Sequence, residues 1–237
     1  MIDTFLFDLD GTLLPLDMER FMQIYLQEIT NTFSDIIEPK KLSEALWGST
    51  KAMVSNLDRK TNQEVFMEAF FNRIEGDPEV YQKRFDYFYD HEFLKVRSAV
   101  HSMPLISESI EQLKKKGYQL ILATNPLFPK KAIHHRIKWA GLHPEDFAHI
   151  TSFEHCHYCK PQIQYFEEIL SRINKQPHQC IMVGNDVQED LIAGSLGMET
   201  FLITEHMIHR NDTDITCTYQ GTYEDFYTYV QNLQSNT

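Results

Sequence analysis

Short apolar runs that end in small or acidic residues recur along this chain, and longer helical patterns separate them. The runs lie at 4–11, 119–126, 149–153, 179–186 and 200–204. Strands this apolar do not leave one face in water, so their alternation with helices is typical of a parallel sheet covered on both faces. The sequence therefore predicts an α/β fold with a doubly wound, Rossmann-like parallel sheet.

The stretch between the first and second runs follows a different pattern and is helical throughout. It predicts helices at 17–33, 39–57, 61–74 and 78–95. Its aromatic residues recur mostly every three or four positions, a spacing more typical of a bundle core than of a ligand site. We therefore predict an α/β core of residues 1–15 and 97–237, with an all-helical domain of residues 16–96 inserted after the first strand.

The balance of charge narrows the classes of partner. Lys and Arg number 22 against 34 Asp and Glu, for a formal net charge of -12. Such a chain lacks the clustered cations that bind nucleic acid, and it repels anionic substrates unless something local reverses the field. No run approaches the roughly 18 apolar residues of a membrane-spanning helix. The first residues contain Asp3, Asp8 and Asp10, and signal peptides do not carry acidic residues in this way. We expect a cytoplasmic protein without nucleic-acid or membrane partners, whose oligomeric state the sequence leaves undetermined.

Polar side chains follow several of the predicted strands at the point where each strand ends. They are Asp8 and Asp10 after the first run, Thr124 and Asn125 after the second, Lys160 beyond the third, and Asn185 and Asp186 after the fourth. Ligands of parallel sheets bind at the carboxyl ends of the strands, where the strand order reverses. Two aspartates one residue apart point to the same side of the backbone, so both can address one reacting centre. Alone, such a pair is more often a solvated turn, and the order of the other groups favours a site.

In this order the residues resemble the motifs of the haloacid dehalogenase (HAD) superfamily, and the resemblance covers essentially the whole chain. Asp8-Leu9-Asp10-Gly11-Thr12 resembles its first motif, Thr124 its second, Lys160-Pro161 its third, and 184–190 its acidic fourth. The inserted helices resemble the type 1 helical cap of the family. Within the family, an aspartate at the position of Asp10 separates phosphatases from dehalogenases, so the resemblance implies a phosphatase.

The resemblance also implies a role for each residue. Asp8 attacks phosphorus and forms an aspartyl-phosphate, which splits one hard reaction into two easier ones. Asp10 protonates the leaving oxygen and then takes a proton from water. Thr124 and Lys160 stabilise the charge of the transferred phosphoryl group, with Asn125 beside them at the substrate. Lys160 is also predicted to start a helix, whose N-terminus adds partial positive charge.

The implied cofactor is Mg²⁺, which prefers oxygen ligands. Asp8 and the backbone carbonyl of Asp10 are two of the implied protein ligands. Many relatives place an aspartate directly after the glycine of the fourth motif, but this chain has Asn185 there, followed by Asp186. Because a carboxylate brings charge, we favour Asp186 as the third ligand, with Asn185 as a second or substitute ligand. Asp190 would hold Lys160 or a metal-bound water.

The leading hypothesis is a Mg²⁺-dependent phosphatase that hydrolyses a small phosphorylated metabolite. A phosphomutase or phosphotransferase of the same family is the first alternative, because the aspartyl-phosphate can pass to a hydroxyl group instead of water. A non-catalytic phosphate-binding regulatory protein is the second, but loss of Asp8 or Asp10 would mark it, and both are present. Substrate choice is expected to depend on the cap, first at Trp47, Lys51 and Asn56.

Two histidines and two cysteines lie close together at 155–159. The group invites a zinc interpretation, but structural zinc sites normally take ligands from two separated segments, and no second segment follows. An exposed loop or redox-sensitive thiols are the better interpretation.

Overall fold

The computed structural model describes residues 1–211 and 213–236, and a six-stranded parallel sheet forms its centre. The strands are β1 (Thr4–Phe7), β2 (Gln119–Leu122), β3 (His149–Ile150), β4 (Cys180–Gly184), β5 (Glu199–Ile203) and β6 (Tyr219–Gly221). Their order is β3-β2-β1-β4-β5-β6, and every neighbouring pair is parallel. The order reverses beside β1, which confirms the doubly wound sheet and opens the crevice at its carboxyl end.

Eight α-helices are present in the described residues. They are α1 (Met18–Phe33), α2 (Pro39–Val54), α3 (Asn62–Phe71), α4 (Pro78–Asp90), α5 (Pro104–Lys115), α6 (Lys130–Trp139), α7 (Ile163–Ile173) and α8 (Tyr223–Asn232). Short 3-10 helices lie at Glu92–Ala99, Pro144–Asp146, Pro177–Gln179 and Leu191–Leu196. The helices α1 to α4 lie between β1 and β2 in the chain, as the sequence pattern predicts. None of the described helices combines the length and hydropathy that a membrane crossing needs.

Local signals in the sequence explain where the inserted helices begin. The side chain of Asp17 accepts a hydrogen bond from the Arg20 N–H, which caps α1. Thr61 and Glu64 form a capping box at α3, satisfying two backbone donors that the helix leaves free. The fourth helix ends at Asp90 rather than near residue 95, and the 3-10 helix Glu92–Ala99 takes over there.

Aromatic rings fill the space between the inserted helices, as their spacing predicts. The Phe33 and Phe85 ring centroids are 4.8 Å apart, and those of Phe70 and Phe85 are 5.3 Å apart. All three side chains are buried. Such pairs add about 0.5–1.5 kcal/mol beyond the area that they bury, so they stabilise the insertion internally.

Hydrogen bonds join the insertion to the core loop at 153–162. Near α3, the backbone N–H of Asn62 donates to the Cys156 carbonyl at 2.8 Å. The Asn56 side-chain amide donates to the His157 carbonyl at 3.1 Å, and Gln162 Nε2 donates to the Val54 carbonyl at 2.6 Å. Since this loop carries Lys160, the insertion and the predicted site share one structural support.

The structure corrects the surroundings of Lys160. Helix α7 begins at Ile163, so Lys160 lies in the preceding loop, and the prediction that it starts a helix is wrong. Gln162 is the N-cap and has an extended backbone, which ends the loop at that residue. The charges around Lys160 therefore come from side chains rather than from a helix N-terminus.

Candidate active site

Asp8 lies directly after β1, where its backbone N–H donates to the Val183 carbonyl of β4 at 2.9 Å. This bond continues the sheet for one more residue and fixes the start of the Asp8 side chain. One carboxylate oxygen, Oδ1, accepts from Lys160 Nζ at 2.9 Å. The carboxylate is 13% exposed, so it is reachable at the bottom of the crevice.

Lys160 joins Asp8 to a second carboxylate, that of Asp190. Lys160 Nζ lies 2.6 Å from Asp190 Oδ1, and both side chains are 1% exposed. Asp190 fits here only because residue 184 is a glycine. A Cβ on Gly184 would lie 2.1 Å from Asp190 Oδ2. The glycine at the end of β4 therefore makes the space for the carboxylate that holds Lys160.

Negative charge exceeds positive charge around Lys160. Burial raises the pKa of Asp8, while Lys160 opposes that shift. Burial likewise raises the pKa of Asp190 to about 7, and it raises the pKa of Glu189, again against Lys160. Burial alone would lower the pKa of Lys160, but Asp190 and Asp8 raise it well above its usual value. The Lys160 ammonium is thus shared by two carboxylates, those of Asp8 and Asp190.

Asp10 has a different partner, Arg136 of α6. Arg136 Nη1 donates to Asp10 Oδ2, and the arginine side chain is 1% exposed. Asp10 Oδ1 is buried without a hydrogen-bond partner among the described residues. Burial raises the pKa of Asp10, and the Arg136 charge opposes the shift. Arg136 was not predicted as a site residue from the sequence, although this residue shares the buried face of α6 with Ala132, Ile133 and Ile137.

Thr124 and Asn125 follow β2, but only Thr124 has a free functional group. The Thr124 carbonyl accepts from Tyr165 Oη at 2.8 Å and from Thr151 Oγ1 at 2.7 Å. Its hydroxyl makes no hydrogen bond to any described residue. Asn125 Oδ1 accepts from the Lys160 backbone N–H at 3.3 Å, and its Nδ2 donates to Glu189 Oε2 at 2.9 Å. Asn125 therefore braces the lysine loop.

Asn185 lies against the first motif. Its Oδ1 accepts from the Thr12 hydroxyl at 2.9 Å, and its Nδ2 donates to the His206 carbonyl at 2.6 Å. A Cβ at Gly11 would lie 2.4 Å from Asn185 Nδ2, and the φ of this glycine is +85°. Gly11 is thus required twice, for its backbone conformation and for the close approach of Asn185.

The carboxylate of Asp186 is held by other groups. Its Oδ1 accepts from the backbone N–H groups of Gln188 and Glu189, at 3.0 Å and 2.9 Å. Its Oδ2 lies 2.6 Å from Arg210 Nη1. Glu189 Oε1 also lies near Arg210, 3.4 Å from its Nη2, and its side chain is only partly exposed.

The residues at the end of β1 fit a magnesium ion. In the described chain, no group of three or more His, Cys, Asp or Glu side chains is arranged to hold a metal. Mg²⁺ needs no such group, because it commonly takes one or two carboxylates and completes its shell with water and phosphate oxygens. Asp8 supplies a partly exposed carboxylate, and the lysine beside it is already shared with Asp190, so the donor set fits a cation that takes oxygen ligands.

The cysteines before Lys160 are not exposed. Cys156 and Cys159 are 2% and 0% exposed. Burial raises the pKa of the Cys156 thiol to about 12 and raises that of Cys159 further. Thiols that stay protonated react slowly, which argues against redox-sensitive thiols at both positions, although His155 of the same loop is exposed. His157 Nδ1 contacts Glu168 Oε1 at 2.7 Å instead.

A cavity of about 290 Å³ lies between the insertion and the core, and its lining is mainly apolar. Trp47 lines it and is 53% exposed. Phe128, which follows the Thr124 segment, lines its core side. Lys51 is exposed and does not line the cavity, whereas Asn56 is buried in the contact with the core loop. Of the three cap residues proposed from sequence, only Trp47 lies at this cavity.

Comparisons with known proteins agree on a family. The family model for haloacid dehalogenase-like hydrolases matches residues 2–196. A glyceraldehyde 3-phosphate phosphatase from Methanothermobacter thermautotrophicus is 26% identical over 227 residues, covering 91% of this chain and 95% of that protein.

Solved structures share the fold. A HAD phosphatase from Thermococcus onnurineus is 19% identical with a TM-score of 0.61, and the match covers 99% of this chain and 100% of that one. A 2-haloacid dehalogenase from Pseudomonas syringae is 20% identical with a TM-score of 0.65, covering 98% of each chain. Because these two proteins are named for different reactions, the fold does not decide between them, and the site residues must.

Proposed function

The chain belongs to the haloacid dehalogenase-like hydrolases, and from that premise we propose that it is a Mg²⁺-dependent phosphatase acting on a small phosphorylated metabolite. The reaction is the hydrolysis of a phosphomonoester through an aspartyl-phosphate on Asp8. The similarity to a glyceraldehyde 3-phosphate phosphatase supports the phosphatase branch. The residues at the end of β1 support the chemistry.

Asp8 and Asp10 divide the reaction between them. An oxygen of Asp8 bonds to phosphorus as the bond from phosphorus to the leaving oxygen breaks, and Asp10 gives that oxygen a proton. Water then attacks the same phosphorus, Asp10 takes a proton from it, and the bond to Asp8 breaks. Both aspartates return to their starting states, and the products are an alcohol and inorganic phosphate.

The observation that carries the proposal is the difference between the partners of these two aspartates. Asp8 contacts Lys160, a compact charge beside the attacking oxygen, whereas Asp10 contacts Arg136 and keeps one oxygen free. When two carboxylates in one site have different environments, one can act as the nucleophile and the other as the acid and base. A dehalogenase needs no acid at position 10, so the buried Asp10 favours phosphoryl transfer.

The transferred phosphoryl group needs donors and cations around its oxygens. Lys160, held by Asp190, provides a fixed positive charge, and the free Thr124 hydroxyl is a donor. Asn125 keeps the lysine loop in place. These groups are pre-positioned in the structure, so little reorganisation accompanies the reaction.

Magnesium, when bound, supplies the remaining positive charge to the phosphoryl oxygens. We propose Asp8 and the carbonyl of Asp10 as ligands, with Asn185 ahead of Asp186 as the third. The reason is that Asp186 already binds Arg210 and two backbone N–H groups. Asn185 lies beside Gly11, within the first motif, and its amide oxygen has a second lone pair.

The cytoplasm is the proposed location of this activity. All four cysteines of the chain are free. Reduced thiols are the usual state of cysteine in that compartment.

Phosphate release over a panel of phosphorylated metabolites, with and without Mg²⁺, tests the proposal. We expect Mg²⁺-dependent turnover of at least one phosphomonoester and its loss in the Asp8→Asn variant. Lys138→Met, an exposed change on α6, serves as the matched control and keeps full activity. Turnover by Asp8→Asn at the parental rate, or none by the parent protein, would refute the proposed function.

A further inference from the structure

A buried arginine is the only ionic partner of Asp10 among the described residues. We propose that Arg136 is a positioning residue, which holds Asp10 Oδ2 so that Oδ1 is the oxygen presented to the leaving group. The inference rests on the proposed function and adds a residue to it that the motifs of the sequence do not contain.

The geometry fixes both ends of this contact. Arg136 Nε donates to the Ala132 carbonyl one turn earlier in α6, at 3.3 Å. Arg136 Nη1 donates to Asp10 Oδ2. The guanidinium also lies over the Phe128 ring, 4.6 Å from its centroid. The guanidinium is thus held at Nε by a backbone carbonyl, over its plane by an aromatic ring and at Nη1 by the carboxylate. It has little rotational freedom, so the carboxylate oxygen that it binds is fixed as well.

The two atoms without partners support a role in the reaction. Asp10 Oδ1 and Arg136 Nη2 are both buried and make no hydrogen bond to any described residue. A buried polar atom without a partner loses its hydration and gains nothing in return, which makes it rare in a folded protein. An acid catalyst needs such a free oxygen, because a second internal bond to Asp10 Oδ1 would compete with the leaving oxygen.

A continuous set of contacts leads from Asp10 to the cavity. Beyond Arg136, the rings of Phe128 and Tyr25 are 5.6 Å apart, and the hydroxyls of Tyr25 and Tyr89 are 3.2 Å apart. Phe128, Tyr25 and Tyr89 all line the cavity below the inserted helices. Arg136 therefore joins the acid to the packed residues that line this cavity, which holds its guanidinium from the side of the inserted helices.

The charge of Arg136 has no other use in the described part of the chain. It makes no ion pair besides that with Asp10, and the side chain is 1% exposed. Burying a charge requires a compensating partner, and an apolar residue on this face of α6 would avoid that requirement. The contact with Asp10 is thus the feature that accounts for an arginine at position 136.

Leaving-group dependence tests the inference. The probes are p-nitrophenyl phosphate, whose leaving group departs without a proton near neutral pH, and phenyl phosphate, whose leaving phenolate needs one. Both are measured with Mg²⁺ on the same preparations of the parent, Arg136→Lys, Arg136→Met and the control Lys138→Met. Because both substrates meet the same protein, the fraction of folded enzyme cancels in the ratio of the two kcat/KM values, even for a destabilised variant.

We expect Arg136→Met to lose at least about tenfold more activity on phenyl phosphate than on p-nitrophenyl phosphate, since positioned acids contribute roughly 10²–10⁴-fold. Arg136→Lys should recover part of that difference, and Lys138→Met should show none. In an Asp10→Asn background, Arg136→Met should not change the ratio further.

The outcomes separate the two claims. Equal losses on both substrates, or a further change of the ratio in the Asp10→Asn background, would overturn the role of Arg136 while leaving the phosphatase intact. A parent protein that hydrolyses no phosphomonoester would overturn the proposed function, and the role of Arg136 with it.

Discussion

At the scale of the residue, Asp190 occupies the space that a side chain at position 184 would need. The Asp190 carboxylate holds Lys160, and Lys160 contacts Asp8. The absence of a Cβ at Gly184 therefore allows these three charged groups to contact one another in sequence. Buried charges of this kind are costly to leave unpaired, and removing one partner destabilises a protein by about 3–5 kcal/mol. The position of Asp190 therefore affects both folding and reactivity.

Gly184→Ala should move the Asp190 carboxylate away from Lys160, because the new Cβ would lie 2.1 Å from Oδ2. We expect phosphatase activity to fall at least tenfold and the free energy of unfolding to fall by about 1–3 kcal/mol, the usual cost of overpacking. Steady-state kinetics and chemical denaturation measure both. Gly194→Ala is the matched control, since its Cβ would lie 3.8 Å from Thr200 Cγ2, an ordinary contact. Equal behaviour of the two variants would contradict this role of Gly184.

The site predicted from sequence contains the two aspartates and the lysine, but not all of the side chains that contact them. Asp8, Asp10 and Lys160 belong to motifs with fixed order, whereas Arg136 lies on a helix whose charged residues resemble an ordinary surface. Only its position on the buried face of α6 distinguishes it. The contact between Asp186 and Arg210 depends on the backbone conformation of residues 204–211. A single sequence does not determine that conformation, so this contact could not be predicted.

At the scale of the element, the strands were predictable because their apolar runs are local signals. The strand β6 was missed, since Tyr219–Gly221 is short, polar and partly exposed. The third strand is shorter than its pattern predicted and contains only His149 and Ile150. Pairing with a neighbour decides such short strands, and pairing is a property of the folded chain.

His149 in β3 gives the fold a measurable dependence on pH. Burial lowers its pKa below the usual 6.5, and its Nε2 is buried without a partner among the described residues. The unfolded chain therefore binds a proton that the folded chain resists, and stability present above about pH 6.5 is lost as the pH falls. Asp190, whose pKa burial raises to about 7, contributes in the opposite direction over this range. The effect of His149 is therefore measured as the difference in urea denaturation between the parent and a His149 variant from about pH 8 to 5.

As the pH falls over this range, the stability of the His149→Gln variant should rise relative to that of the parent, because the parent alone loses the contribution of His149. Other histidines with pKa values lowered by burial, His134, His135 and His206, account for part of the pH dependence that the variant retains. His178→Gln, a change at an exposed histidine, should leave the parental slope unchanged. An identical slope for parent and His149→Gln would contradict the assignment.

The inserted helices should set substrate preference through the cavity that they share with the core. Trp47→Ala removes a ring that lines the cavity and is 53% exposed, so little stability is lost. We expect the relative kcat/KM values of the substrate panel to change several-fold. Leu57→Ala is the control, because Leu57 is 63% exposed and does not line the cavity. If the relative kcat/KM values of the substrates are the same in Trp47→Ala as in the parent, Trp47 has no part in substrate preference.

At the scale of the whole molecule, the net charge of -12 bears on the order in which metal and phosphorylated substrate bind. The field of the protein repels phosphate, and Lys160 is already shared by Asp8 and Asp190. A divalent cation bound at the end of β1, as proposed, would reverse the local field there. Metal should therefore bind before the phosphorylated substrate or together with it.

Titration calorimetry with inorganic phosphate tests this order. We expect at least about tenfold weaker binding in a chelating buffer than in Mg²⁺. Asp8→Asn removes one negative charge and should improve binding in the chelating buffer. Equal affinity of the parent protein under both conditions would show that the protein alone neutralises phosphate.

Asp8 is proposed to carry the phosphoryl group during turnover. The direct measurement is rapid acid quenching of the parent protein during hydrolysis, followed by borohydride reduction and peptide mass spectrometry. Reduction converts an aspartyl-phosphate to homoserine and leaves a free aspartate unchanged. We predict homoserine at position 8, dependent on substrate and Mg²⁺. An unmodified Asp8 in protein quenched while it releases phosphate, or a modified residue elsewhere, would contradict it.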